Sequence, residues 1–323
     1  MIRLEKFSSS IKRVVGIEEL TALELNGAKY KVGVNSQHSQ NIVSVDELIK
    51  FYPLFVKEAG NRGFDIKNIV LSLPLNHYLE ARILQANEKP NKIEQLVENI
   101  TNEVGDKVEN IAVYPQAMSS LYYIKKEFDE DLTNKRILFI DGGFNSLIIG
   151  LTSFGENNEL ETPIFHETIL NQHGVRDLLE QYFAPLLKSK FTDLSSNLHV
   201  LNRIFQEEEI YNGITKVSVK EEKTLAINIY ANDIFNKIIN KIDSKSLSYD
   251  AIAIIGGLNY LIGELNLEGI PVFHTKKNAE YLTTLGMLEK NPDFTIIDGG
   301  FGDVKIGANV EKINKTTKTK LFN

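Results

Sequence analysis

Strands and helices alternate along most of these 323 residues, which predicts an α/β chain. Two further observations shape that prediction. Near the end, Ile296-Ile297-Asp298-Gly299-Gly300-Phe301-Gly302-Asp303-Val304-Lys305 reads as strand, glycine turn, strand. A near copy, Phe139-Ile140-Asp141-Gly142-Gly143-Phe144-Asn145 followed by Ser146–Gly150, lies in the first half. Two phosphate-type hairpins in one chain predict two similar domains closing on one nucleotide.

The elements follow from local pattern. Leu20–Leu25, Asn26-Gly27 and Lys29–Val34 read as a β-hairpin, since Asn-Gly suits the tight turn between twisted strands. Val45–Ala59 carries helical apolar spacing through Leu48, Ile49, Tyr52, Phe55 and Val56. Ile69–Leu73 is a buried strand stopped by Pro74, and Ile93–Val104 is amphipathic, read as helix or helix plus loop. Ile111–Pro115 is a short strand running into a helix over Gln116–Lys126, and the charged stretch Glu127–Asp131 turns the chain before the Asp141 hairpin. Gly174–Phe183 is helical, and Glu207-Glu208-Glu209 reads as a solvated helix face. A strand around Val217–Val219 precedes a long helix over Ile227–Ile242. Ala251–Ile255 is a buried strand entering Gly256-Gly257-Leu258-Asn259, and a helix at Asn278–Glu289 precedes the final hairpin.

Composition bounds the function. The chain is 42% hydrophobic and 24% charged, enough to build two ordinary cores. A net charge of −7 argues against a protein that coats nucleic acid directly. No cysteine is present, which removes disulfides, thiolate catalysis and cysteine metal sites. Neither a signal-peptide core nor an apolar run of transmembrane length is found, so the expectation is a cytoplasmic chain without membrane insertion. His166 and His173, seven apart, read as structural. Lys312, Lys315, Lys318 and Lys320 read as a solvated tail.

The glycine motifs carry the chemistry. Glycines let backbone N–H groups approach phosphate oxygens, and a strand-end Asp can hold Mg²⁺ through its water shell. Lys305 can place positive charge on a β or γ phosphate. A buried strand opening through Gly256-Gly257 into a helix offers backbone for a base or ribose. Each hairpin alone also reads as a plain turn; together they are more specific.

The set resembles the actin, Hsp70 and sugar-kinase ATPase superfamily, especially actin-like proteins of the plasmid-segregation (ParM) type. Asp298–Lys305 resembles its phosphate-1 loop, Asp141–Asn145 phosphate-2, and Gly256–Asn259 the adenosine loop. Tyr114–Met118 resembles the first connecting segment, His173–Leu178 the segment opening a helix beside the nucleotide, and Asn278–Gly286 the second connecting helix.

The resemblance implies a two-domain, ribonuclease H-like fold with a nucleotide cleft. Phosphate-1 opens the chain in those families and closes it here, which implies a circular permutation. Domain I would span 1–140 with a small subdomain at about 12–64, domain II 141–270, and residues 271–323 would return to domain I. It also implies bound ATP or GTP with Mg²⁺, contacted by Asp298, Gly299, Gly300, Gly302, Lys305, Gly142, Gly143, Asn145, Gly174, Gly256, Gly257 and Asn259. Asp298 and Asp141 would flank the metal, with Gln116 and Asp141 catalytic and Gln116 orienting the attacking water. Relatives often carry a second Asp seven positions into phosphate-2, where this chain has Ile148. The implied function is a slow ATPase that assembles with itself into filaments, used with a DNA-binding adaptor to partition DNA. A non-polymerising small-molecule kinase and a nucleotide-binding scaffold without turnover are the alternatives.

Overall fold

The computed structural model describes residues 1–8, 11–14, 23–32, 42, 44–83, 90–143, 146–170, 173–191, 197–212, 214–261, 269–275, 277–300 and 303–310. Along the chain run β1 (Ile2–Ser8), β2 (Ile11–Val14), β3 (Leu23–Leu25), β4 (Ala28–Val32), α1 (Val45–Asn61), β5 (Asn68–Leu73), α2 (Leu75–Ile83), α3 (Lys92–Val104), β6 (Asn110–Pro115) and α4 (Ser120–Glu127). Next come β7 (Arg136–Gly142), β8 (Ser146–Ser153), β9 (Phe165–Leu170), α5 (Val175–Asp177), a π-helical turn (Leu178–Phe183), α6 (Ala184–Lys188), α7 (Leu198–Glu207), β10 (Glu209–Asn212), β11 (Thr215–Ser218) and α8 (Lys220–Ser244). Then follow β12 (Ala251–Gly256), α9 (Leu258–Leu261), β13 (Val272–His274), α10 (Leu282–Lys290), β14 (Thr295–Gly299) and β15 (Asp303–Asn309). They form two compact units: Met1–Glu130 with Tyr281–Asn323, and Asp131–Glu280.

Unit one is built on a five-stranded sheet in the order β1-β15-β14-β5-β6. β15 runs antiparallel to both neighbours, whereas β14, β5 and β6 are parallel. Leu48, Tyr52 and Phe55 of α1 and Leu96 and Ile100 of α3 pack with Ile69, Leu71, Ile297 and Ile306 of the sheet. Met287 and Leu288 of α10 pack with Val70 and Ile296. Pro53 lies inside α1 and cannot donate to the Ile49 carbonyl; Asn99 Nδ2 of α3 donates to that oxygen at 3.4 Å. The small sheet β2-β4-β3 turns at Asn26-Gly27, both at positive φ (50° and 70°), the conformation that Asn-Gly favours. Its Tyr30 packs edge-on against Phe51 of α1.

Unit two has the sheet order β13-β12-β7-β8-β9. Leu138, Ile140, Ile149, Ile252 and Ile254 pack with Tyr230, Ile234 and Ile238 of α8. Its pattern of directions is that of unit one: three antiparallel strands (β7, β8, β9), with β12 and β13 parallel to β7. In unit two the central hairpin β7–β8 comes first in the chain. In unit one the matching hairpin β14–β15 comes last, and its outer partner β1 comes first.

Several local expectations change. The predicted helix at Gln116 begins at Ser120, because Ala117 sits at φ 61° and Gln116 N–H still donates to Leu73 O in continuation of the sheet. The 174–183 segment passes through the π-helical turn. Glu207-Glu208-Glu209 is no helix face: Glu207 ends α7, Glu208 caps it in the left-handed region, and Glu209 starts β10. The sequence-drawn break at 140/141 would cut β7, and the break at 270/271 would detach β13 from β12. The Lys312–Lys320 tail lies outside the described residues.

Candidate functional site

In unit one a polar row crosses the sheet. Lys6, Lys305 and Asp298 are in register on β1, β15 and β14, and Ser72 pairs with Tyr114 on β5 and β6. Asp298 is 3% exposed. Its Oδ1 accepts from Ser72 Oγ at 2.7 Å and from Gln116 Nε2 at 3.3 Å, while Lys305 Nζ lies 3.9 Å from Oδ2. Gln116 Nε2 also donates to Ser72 Oγ (3.0 Å) and Gly299 O (2.7 Å). From α1, Tyr52 Oη donates to Ser72 O (2.6 Å) and accepts from Gly299 N–H (2.9 Å). Burial, and then the Asp298 charge, push the Tyr52 phenol well above its usual range, so it stays a neutral donor. Lys6 faces a like charge at Lys305 and ion-pairs with Asp303 at 2.9 Å.

In unit two the corresponding row is Thr168, Ile148, Asp141 and Ile255. Asp141 therefore has Ile148 where Asp298 has Lys305. Gly256, at φ 70°, approaches Asp141 so closely that a Cβ there would lie 2.2 Å from Asp141 Oδ1. Gly142 is pressed by Leu258, whose Cβ would be 2.6 Å from its own. Gly143 N–H donates to Ser146 O (2.9 Å), and Gly143 O accepts from Val175 N–H (3.1 Å), tying the hairpin to the Gly174 segment. Tyr230 Oη holds His173 O at 2.6 Å, and His173 stands at φ 62°. Asn259 is 1% exposed; its Nδ2 donates to Ile254 O, and among the described residues its Oδ1 has no hydrogen-bond partner.

No protein-family model matches the sequence, and no curated protein matches it. Solved structures do. An archaeal actin homologue, Ta0583, aligns at a TM-score of 0.61 with 13% identity, over 90% of this chain and 98% of that one. Its complex with ADP aligns at 0.60 with 14% identity, over the same shares. A non-polymerisable quadruple mutant of pCBH ParM aligns at 0.52 with 18% identity, over 89% of this chain and 93% of that one. This chain has an actin-like fold.

Within the actin-like fold, Asp298, Gly299 and Gln116 share one hydrogen-bond network in unit one, with Lys305 beside Asp298. In unit two Asp141 and Gly142 close β7 and Gly256 closes β12, while Gly143 follows β7, Gly174 caps α5 and Asn259 lies in α9. Gly257 adjoins Gly256, and Gly300 N–H donates to Asp303 O across the hairpin. Gly302 and Asn145 lie outside the described residues. The sequence gives no sign of a site role for Tyr52 or Ser72: Tyr52 fits an ordinary apolar helix face, and Ser72 an ordinary buried strand.

The donor set fits a magnesium-bearing nucleotide. Among the described residues no three His, Asp or Glu side chains gather into a metal cage. A lone carboxylate beside a lysine instead suits a cation that takes most of its oxygens from phosphate and water. The Oδ1 of buried Asn259, without a donor among the described residues, is an acceptor that a base or sugar donor would satisfy. Among the described residues no helix is long and apolar enough to cross a membrane.

Proposed function

We propose that this chain is a self-assembling, nucleotide-dependent ATPase that binds a magnesium–nucleoside triphosphate through the Asp298 hairpin, the Asp141 hairpin and the Gly256–Asn259 turn. One observation carries the reading: both sheets end their central strand in an aspartate followed by a tightly packed glycine. A recurring loop would be bland on one sheet; on two sheets with the same pattern of strand directions it supports a matched pair of anion-facing turns. Asp298 and Asp141 would hold the hydrated Mg²⁺, which neutralises phosphate charge when bound. Lys305 would face the β or γ phosphate. Gln116 spends its amide nitrogen on Ser72 and Gly299, so its Oε1 is the atom we assign to orienting the attacking water. Self-assembly would be head-to-tail, a contact that does not close on itself and so grows into filaments. DNA partitioning through an adaptor is the cellular use we favour.

Equilibrium dialysis with Mg-ATP and Mg-GTP, phosphate release without an acceptor, and sedimentation in ATP against ADP test this. Pelleting that depends on ATP, together with acceptor-free release, supports it. Phosphate transfer only to a small-molecule acceptor favours a kinase of the same fold. Binding without turnover or pelleting favours a scaffold, and no nucleotide binding refutes the reading altogether.

We also propose that the strand order reflects circular permutation of unit one. Ile2 pairs with Asn309, and Val310 N–H donates to Met1 O at 3.0 Å, so a short turn can join the two ends of this hairpin. A chain with residues 292–310 moved ahead of Met1 through such a turn is expected to keep the native circular dichroism spectrum, with stability changed by no more than about 1 kcal/mol. Collapse of the reordered chain would count against permutation.

A further inference from the structure

We infer that Tyr52 is a positioning residue for the phosphate hairpin of unit one. From α1 its hydroxyl holds the Gly299 N–H and the Ser72–Asp298 pair, presetting the turn and the carboxylate for a magnesium-bound phosphate. The inference rests on the nucleotide reading above.

The sequence asks only for an apolar ring at this position. Tyr52 lies on the same helix face as Leu48, Phe55 and Val56, all fully buried, and it packs edge-on against Phe55. Phenylalanine would satisfy that face, so the hydroxyl is the surplus group to be explained. A phenol at 0% exposure must find partners or lose its hydration without return. Its partners are not scattered through the core. They are Gly299 N–H at 2.9 Å, Ser72 O at 2.6 Å and Ser72 Oγ at 3.0 Å, all at the ends of β14, which carries Asp298, and of its neighbour β5. Ser72 Oγ then donates to Asp298 Oδ1.

Gly299 gives the second argument. It does not occupy the left-handed region, so backbone freedom does not require glycine there. A Cβ at Gly299 would instead stand 2.7 Å from Tyr52 Oη and 2.8 Å from its Cζ. The glycine of this Asp-Gly pair is there to admit the tyrosine. Gly142 in unit two holds the same position, yet the group against it is the apolar Leu258 side chain. The polar clamp therefore belongs to the unit whose hairpin carries a lysine beside the aspartate. The clamp immobilises Gly299 N–H and Asp298 before any ligand arrives, and less ordering is left for binding to supply.

The test is Tyr52→Phe, which keeps the ring and its packing, with Ser72→Ala as a second variant that breaks the next bond and leaves the Tyr52–Gly299 contact. In the ligand-free protein, Gly299 amide exchange is expected to speed up roughly tenfold or more in Tyr52→Phe, by loss of its acceptor. Affinity for ATP with Mg²⁺ is expected to fall about tenfold in both variants, while affinity for ATP without Mg²⁺ changes less than about twofold. A general loss of fold would weaken both alike. Equal exchange and equal Mg-ATP affinity in wild type and Tyr52→Phe overturn the role of Tyr52 alone. If Tyr52→Phe does not fold, an unchanged Mg-ATP affinity in Ser72→Ala overturns it. A wild-type chain that binds no Mg-ATP overturns the nucleotide reading, and this role with it.

Discussion

Gly286→Ala is expected to lower the stability of unit one by roughly 3 kcal/mol, read as a fall in its urea midpoint. A Cβ at Gly286 would lie 1.9 Å from Ser119 O, 2.6 Å from Ser119 C and 2.9 Å from Ser120 Cα. These are backbone atoms at the start of α4, so nothing at the contact is the yielding end of a side chain. The sign makes the prediction sharp. Glycine to alanine inside a helix ordinarily stabilises by about 1 kcal/mol. Here α10 and α4 approach as they do only because position 286 has no side chain, and Ser120 and Thr283 hydroxyls meet at 3.2 Å beside it. A variant as stable as the wild type would mean that the two helices do not pack this closely.

Asp298→Asn is expected to separate charge from shape. The asparagine carbonyl can still accept from Ser72 and Gln116, so stability should change by less than about 1 kcal/mol. The negative charge at the end of β14 is lost. Affinity for Mg-ATP is then expected to fall by a factor of about 10 to 100, the worth of roughly 1.5–3 kcal/mol for a bond to a charged group. Affinity for ATP without Mg²⁺ should hold or rise, because a carboxylate that repelled the triphosphate is gone. Isothermal titration with and without Mg²⁺ checks both arms. Unchanged Mg-ATP affinity would remove Asp298 from the proposed metal site.

Much of this was legible along the chain because its signals are local. Asn26-Gly27 between strand-like runs announces a hairpin whose twist needs positive φ at both positions, and both have it. The apolar spacing of Val45–Ala59 announces α1, and the amphipathic run Ile93–Val104 announces α3, which the structure shows to be helix throughout, started by a capping box of Asn91 and Glu94. Gly256 was legible as a motif glycine, although its reason, an aspartate oxygen against its backbone, was not. The misses share a cause. Gln116 looked like a helix start, since nothing in its neighbours says that Leu73 O will claim its N–H and keep it in the sheet. The Glu207–Glu209 run looked like one helix face until a left-handed cap and a strand divided it.

The α/β class, the two glycine hairpins and the identity of their aspartates can be read along the chain, since each depends on residues close together in sequence. Which strands neighbour those hairpins, and so what each aspartate meets, is set by the folded sheets. Asp298 meets Ser72 and Gln116, far away in sequence, and Asp141 meets Gly256. Strand order is a long-range choice made by burial of whole sheet faces, and a side chain inherits its partners from that choice. Tyr52 is the clearest case: its ring belongs to the local pattern of α1, and its hydroxyl acquires a purpose only where β5 and β14 end side by side.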